Sequence, residues 1–270
     1  MANKLLLLLI AITGFAPSVY SQTSNYGKIT YNEAINISGK QRMLSQKMSK
    51  AYLMLVKNAN GNIKKELEDS KNLFEKQLAV LKDNTTNPAT KTYIDKVTNL
   101  WSAFKTLISQ LPANTKNSKS IMDLNTGLLK ACNDLVTNIE SSSSKSISDK
   151  EQKLLSIINK SGKQRMLSQR LALYYTASLI FPENKLNYRN TLNKIFLEYD
   201  DVISLLSISN FNNEAAEKEL QLIMKKWDKY QVDKEGFFSG NFAPVEVNKT
   251  SNQLTYCFNK ITAVYTAISF

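Results

Sequence analysis

Two arginines in identical surroundings are the residues of this chain best suited to chemistry. Residues 38–46 read SGKQRMLSQ, and residues 161–169 read SGKQRMLSQ again. Each copy carries an arginine, Arg42 or Arg165, one helical turn after a glycine, Gly39 or Gly162. A guanidinium is a planar fork of donors that suits an oxyanion. A glycine inside a helix costs about 1 kcal/mol relative to alanine. Its presence in both copies points to something that approaches the backbone closely there. At about 100° per residue, Asn36, Gly39, Arg42, Met43 and Gln46 share one side of a helix. Asn159, Gly162, Arg165, Met166 and Gln169 repeat that side. The opposite stripe, Ile37, Leu44, Met48, Ala51 and Leu55, is apolar and is expected to face the core of its own bundle. The glycine–arginine side is then expected to point outward.

Two readings of these residues stay open on their chemistry alone. If the two motif helices meet across a pseudo-two-fold axis, both arginines point to one site, and a bound anion relieves their repulsion. Alternatively the motif is a packing seam in which each arginine pairs with a carboxylate. No Asp or Glu lies within one turn of Arg42 or Arg165, so that partner would have to come from another element.

The composition narrows the chemistry further. The chain has 270 residues and no histidine, which removes Ser-His-Asp and Cys-His catalysis, imidazole zinc sites and histidine-ligated haem. Cys132 and Cys257 stand too far apart for a CxxC motif. They read as buried apolar cysteines in preference to a disulfide. No enzyme constellation, metal site or cofactor is expected. The net charge of +12 comes from lysines scattered through every segment. That pattern fits a solvated helical surface and not a nucleic-acid arm, though it favours anionic ligands or anionic envelope surfaces.

These residues must be positioned by a duplicated helical framework. The repeat extends beyond the motif: Phe74 answers to Tyr199, Trp101 to Trp227, and Cys132 to Cys257. The expected fold is all-α, with two tandem antiparallel four-helix-bundle units related by a pseudo-two-fold. Residues 30–140 form the first unit, 141–147 a serine-rich linker, and 148–268 the second. Thr30 with Glu33, and Ser148 with Glu151, are capping boxes that start the two motif helices. Asn87-Pro88 starts another helix. Gly61 and Phe181-Pro182 are expected stops, residues 236–244 an irregular loop, and no strand is expected. Trp101 and Trp227 are expected in bundle cores. Residues 1–21 carry Lys4, an apolar run and small residues before Ser21, the pattern of a cleaved secretory leader. The mature chain is expected to be periplasmic or secreted and not membrane-embedded.

The stretches NISGKQRMLSQKMSK (36–50) and NKSGKQRMLSQRLA (159–172) resemble the signature helix of the PilJ-type domain. That is the N-terminal sensor domain of type IV pilus methyl-accepting chemotaxis transducers, related to NarX-type nitrate/nitrite sensors. The resemblance implies a periplasmic helical bundle. It also implies one anion, nitrate or nitrite, held between two signature helices by the arginine of each. By position this picks Arg42 and Arg165, with Gly39, Met43, Gly162 and Met166 near the ligand. Family sensors are flanked by membrane helices and signalling modules. The expectation here is a soluble sensor or binding protein that passes its state to a membrane sensor or envelope protein. The alternative is an interaction module whose motif face docks a pilus or envelope protein and binds no small ligand.

Overall fold

Both motif helices begin with the same device. The Glu33 carboxylate accepts the Thr30 N–H at 2.8 Å while the Thr30 hydroxyl accepts the Glu33 N–H. Ser148 and Glu151 repeat the reciprocal pair, also at 2.8 Å. These caps open α1 (Tyr31–Val56) and α5 (Asp149–Ile180) in the computed structural model, which describes residues 25–57, 62–143 and 148–269. The expected leader and the Gly61 stop lie outside the described residues.

After α1 come α2 (Ile63–Asn84), α3 (Pro88–Ile108) and α4 (Thr115–Ser143). The Asn87 side chain caps α3 by accepting the Ala89 N–H at 2.9 Å. After α5, a 3-10 turn at Pro182–Asn184 leads to α6 (Lys185–Ser207), α7 (Glu214–Val232), α8 (Lys234–Ser239) and α9 (Pro244–Thr266). α1 packs between α2 and α4, and α5 between α6 and α9, each neighbour running antiparallel to it. The largest helix–helix contact joins α1 to α5. Glu33 and Asn36 of α1 share a cavity wall with Glu151 and Leu154 of α5, and farther along Lys50 reaches Gln169. The two motif helices therefore run in the same direction, side by side.

The tryptophans pack as matched pairs. Trp101 stacks on Phe74 and Trp227 on Tyr199, each with ring centroids 4.2 Å apart. Each indole also donates to an acid one residue on from its stacking partner, Glu75 or Asp200.

Several expectations are corrected. A two-stranded hairpin, β1 (Asn25–Tyr26) and β2 (Ile29–Thr30), precedes α1. It turns on Gly27 at φ 64°, where a Cβ would strike the Asn84 carbonyl. Two-residue strands are too short for any alternation to show in sequence. The segment 236–244 is not wholly irregular, because the Asp233 side chain accepts the Gly236 N–H at 2.9 Å and caps α8. Phe237 and Phe238 of α8 are buried in an aromatic cluster with Phe196. α4 runs on through Ser143 into the stretch read as linker, and residues 144–147 lie outside the described residues. Ile37 and Leu55 are only half-buried, whereas Leu44, Met48 and Ala51 are in the core.

The glycine–arginine sides of α1 and α5, expected to point out of their own units, face each other: Arg42 reaches Asn159 of α5 and Arg165 reaches Asn36 of α1. The burial extends farther round α1 than this contact, with Gln41 on α2 and Gln46 and Ser49 on α4. Gln41, Arg42, Ser45, Gln46, Ser49 and Lys50 are each no more than 1% exposed. A helix enclosed on nearly every side is usually apolar throughout. Here it encloses polar and charged groups, which must find partners inside the fold.

Candidate functional site

Gly39 and Gly162 are where the guanidinium groups sit. A Cβ on Gly39 would lie 3.2 Å from Arg165 Nη2 and 3.4 Å from Arg42 Nη2. Both guanidinium ends therefore crowd one point on α1. A Cβ on Gly162 would lie 2.8 Å from Arg165 Nη2, closer than a real Cβ tolerates. The two glycines thus make room for cations, and helix approach is only part of their use.

The two arginines cross the seam in a reciprocal pattern. Arg42 Nη2 donates to Asn159 Oδ1 at 2.8 Å on α5, and Arg165 Nη1 donates to Asn36 Oδ1 at 2.7 Å on α1. Each also reaches the outer helix of its own half. Arg42 Nη1 donates to Asn133 Oδ1 at 3.0 Å on α4, and Arg165 Nη1 to Asn259 Oδ1 at 3.2 Å on α9. Arg165 Nε is held by the Gly162 carbonyl at 3.2 Å. Arg42 Nε is buried with no hydrogen-bond partner.

All of these partners are neutral. Among the described residues neither arginine has a carboxylate within ion-pair distance. The nearest acid in the network is Glu140, whose Oε2 accepts the Asn159 Nδ2–H at 2.6 Å and so stands behind the amide that Arg42 grips. Burial pushes Arg42 down to about 10. Burial, and then the neighbouring Arg42 charge, push Arg165 down to about 9. Both remain cations at neutral pH. Lys40 is also held below its ordinary value, by burial and then by the Arg165 charge. Two like charges removed from water, beside each other, form a pronounced electropositive centre.

The sequence-derived residues divide into three groups. Arg42, Arg165, Gly39, Gly162, Asn36 and Asn159 come together at this centre. Met43 and Met166 are buried and supply apolar packing. Gln46 and Gln169 are not brought to the arginines. The Gln46 amide exchanges hydrogen bonds with Asn125 of α4. The Gln169 amide donates to Asn252 and Thr255 of α9 and accepts from Lys50 Nζ at 2.7 Å.

Sequence reasoning missed Asn133, Asn259 and Glu140. Asn133 adjoins Cys132, whereas Asn259 stands two places after Cys257. An alignment registered on the cysteines therefore does not pair the two asparagines. Both cysteines are free and buried, and burial pushes their thiols up, to about 12 for Cys132 and about 11 for Cys257. They stay protonated and inert near neutral pH.

Residues 30–124 match the family model for PilJ, the type IV pili methyl-accepting chemotaxis transducer N-terminal domain. The matched span starts at the N-cap of α1, contains the first motif and ends within α4, before the second motif begins. No curated protein and no solved structure matches the chain. No helix among the described residues is long and apolar enough to cross a membrane.

Proposed function

We propose that this chain, which carries a PilJ domain over residues 30–124, is an exported sensor or binding protein that holds a small oxyanion between Arg42 and Arg165. Nitrate or nitrite is the favoured ligand. The observation that carries the reading is the pair of fully buried guanidinium groups, adjacent to each other and held, among the described residues, by neutral amides and carbonyls. A monovalent planar anion supplies the missing countercharge. Its oxygens accept from two donor forks, while the asparagine amides that now accept from the arginines re-orient around it. The motif resembles the signature helices that bind one anion across a dimer in NarX-type sensors. Here a duplicated unit, with halves at 30–140 and 148–268, would place both arginines in one chain.

Binding would act on the α1–α5 seam, because the arginines link those helices. Neutralising the pair draws the two helices together, and a change in their packing is what a membrane or envelope partner would read. The leader-like residues 1–21 support an envelope location for that exchange. Docking through the motif face is the weaker reading, since that face is buried between α1 and α5.

Calorimetry on the purified protein with nitrate, nitrite and chloride tests the proposal. Saturable heat with nitrate or nitrite and none with chloride is expected. Absence of heat and of thermal stabilisation at millimolar nitrate would reject it. Gly162→Ala sharpens the test. The methyl group must displace the Arg165 guanidinium, while the helix gains about 1 kcal/mol of propensity. The expected result is a protein at least as stable as the wild type whose nitrate affinity is lower by about tenfold or more. A variant that binds nitrate normally would show that the guanidinium position at Gly162 is not the binding position.

A further inference from the structure

We propose that the anion reaches and leaves the arginine pair from one side only, through a cavity at the N-terminal ends of α1 and α5, with Asn36 as the side chain that must swing aside. The inference rests on the reading that the arginine pair binds an anion. The two sides of the pair differ in what stands behind the bridging asparagine.

On one side the Asn159 amide is pinned. Its oxygen accepts from Arg42 at 2.8 Å, and its nitrogen donates to Glu140 Oε2 at 2.6 Å. A carboxylate there holds the amide in place and repels an incoming anion. On the other side Asn36 lines an open cavity of about 640 Å³ together with Ile37, Leu154, Ala263 and Thr266. Thr266 stands seven residues after Asn259, as Glu140 stands seven after Asn133. The place that holds a carboxylate on α4 thus holds a hydroxyl on α9, and that hydroxyl is turned back onto the Thr262 carbonyl at 2.7 Å.

Two glutamates also line the cavity, but each is folded onto its own helix cap: Glu33 on Thr30 and Glu151 on Ser148. The N-termini of α1 and α5 face the same space, as does the C-terminal end of α9 at Thr266, so the helix dipoles there oppose one another and the caps are what hold the two glutamates. Rotation of the Asn36 side chain would release Arg165 Nη1 from its acceptor on the cavity side, leaving Asn259 as its other partner.

The test compares Ala263→Trp with Thr137→Trp. Ala263 is an exposed residue on the cavity wall, and Thr137 is its exposed counterpart on α4. Exchange rates of isotope-labelled nitrate are measured by nuclear magnetic resonance on the full protein. Ala263→Trp is expected to slow association and dissociation alike, by about tenfold, leaving Kd within about twofold of the wild type. Thr137→Trp is expected to change neither rate. Wild-type exchange in Ala263→Trp, a shift in its Kd without slowing, or equal slowing in Thr137→Trp would overturn the route. No nitrate signal from the wild type would instead overturn the reading of the site, and the route with it.

Discussion

Arg165→Met and Arg42→Met are each expected to remove most of the nitrate-dependent stabilisation while leaving the unliganded protein as stable as the wild type, or more stable. Removing one member of a desolvated, hydrogen-bonded charge contact costs about 2–5 kcal/mol of binding, a loss of about thirtyfold to several thousandfold in Kd. Stability without ligand moves the other way. The pair holds two cations out of water, and among the described residues no carboxylate lies within ion-pair distance of either; replacing buried charge by an apolar side chain of similar volume is often neutral or stabilising. Part of that gain is offset, because Asn36 and Asn259, or Asn133 and Asn159, lose a donor. Thermal unfolding with and without nitrate reads both effects at once. At a hundredfold excess over Kd the wild type should gain about 2.7 kcal/mol, or about 5–10 °C for a protein of this size. At the same nitrate concentration the Met variants should gain less than about 1 kcal/mol. A packing seam predicts the reverse pattern: variants that lose several kcal/mol outright, in a protein whose stability never depended on nitrate. Arg165→Lys adds a control, since it keeps the charge but loses the planar fork and should recover only a fraction of the affinity.

The framework was legible in sequence because it is written in local signals. The capping boxes at Thr30 and Ser148, the Asn87 cap and the Phe181-Pro182 stop depend on neighbours within a few residues. The correspondence of Trp101 with Trp227 and of Phe74 with Tyr199 followed from the repeat, whereas the stacking within each pair came only from the fold. The reciprocal glycine–arginine arrangement was also legible, since the same nine residues occur twice. The asparagine cage was less so. Asn36 and Asn159 lie one turn before their glycines on the motif helices, while Asn133 and Asn259 come from helices that reach the site only through the fold. How completely the polar side of the motif helices is buried was not legible for a related reason. Helical periodicity finds an apolar stripe, but Arg42 meets α4 and α5, Gln46 and Ser49 meet α4, and Lys50 meets α2, α5 and α9. Only these tertiary contacts reveal that this side has become interior. Glu140 carries no motif at all, and its place behind Asn159 is set by α4 alone.

Lys50→Met is expected to cost about 3–5 kcal/mol of stability, the second large effect in this molecule. Lys50 is fully buried. Its Nζ pairs with Glu66 at 2.7 Å on α2 and donates to Gln169 at 2.7 Å on α5 and Asn252 at 2.9 Å on α9. Asn252 closes the loop by donating to Glu66 Oε2 at 3.1 Å. One ammonium therefore fastens four helices from both halves, and only one half supplies it, because the matching residue on α5 is Leu173. Burial pushes Lys50 down to about 8 against the pull of Glu66. Burial alone would raise the Glu66 carboxyl, but the Lys50 and Lys47 charges, with hydrogen bonds from Lys50 and Asn252, hold it below its ordinary value. Breaking a buried pair from one side strands the other charge and costs about 3–5 kcal/mol, or about 6–20 °C in Tm. The double variant Lys50→Met with Glu66→Gln strands no charge and should recover most of that loss. The acid limb gives an independent check. In the wild type the lowered Glu66 value contributes stability above its unfolded value that is lost as pH falls through the folded one. In Lys50→Met burial dominates and raises Glu66, so its penalty disappears on protonation. The deficit of the variant should therefore be largest near neutral pH and shrink toward about pH 4. A deficit that is constant with pH, or one the double variant does not repair, would mean that Lys50 contributes through its packed alkyl stem and not through its charge.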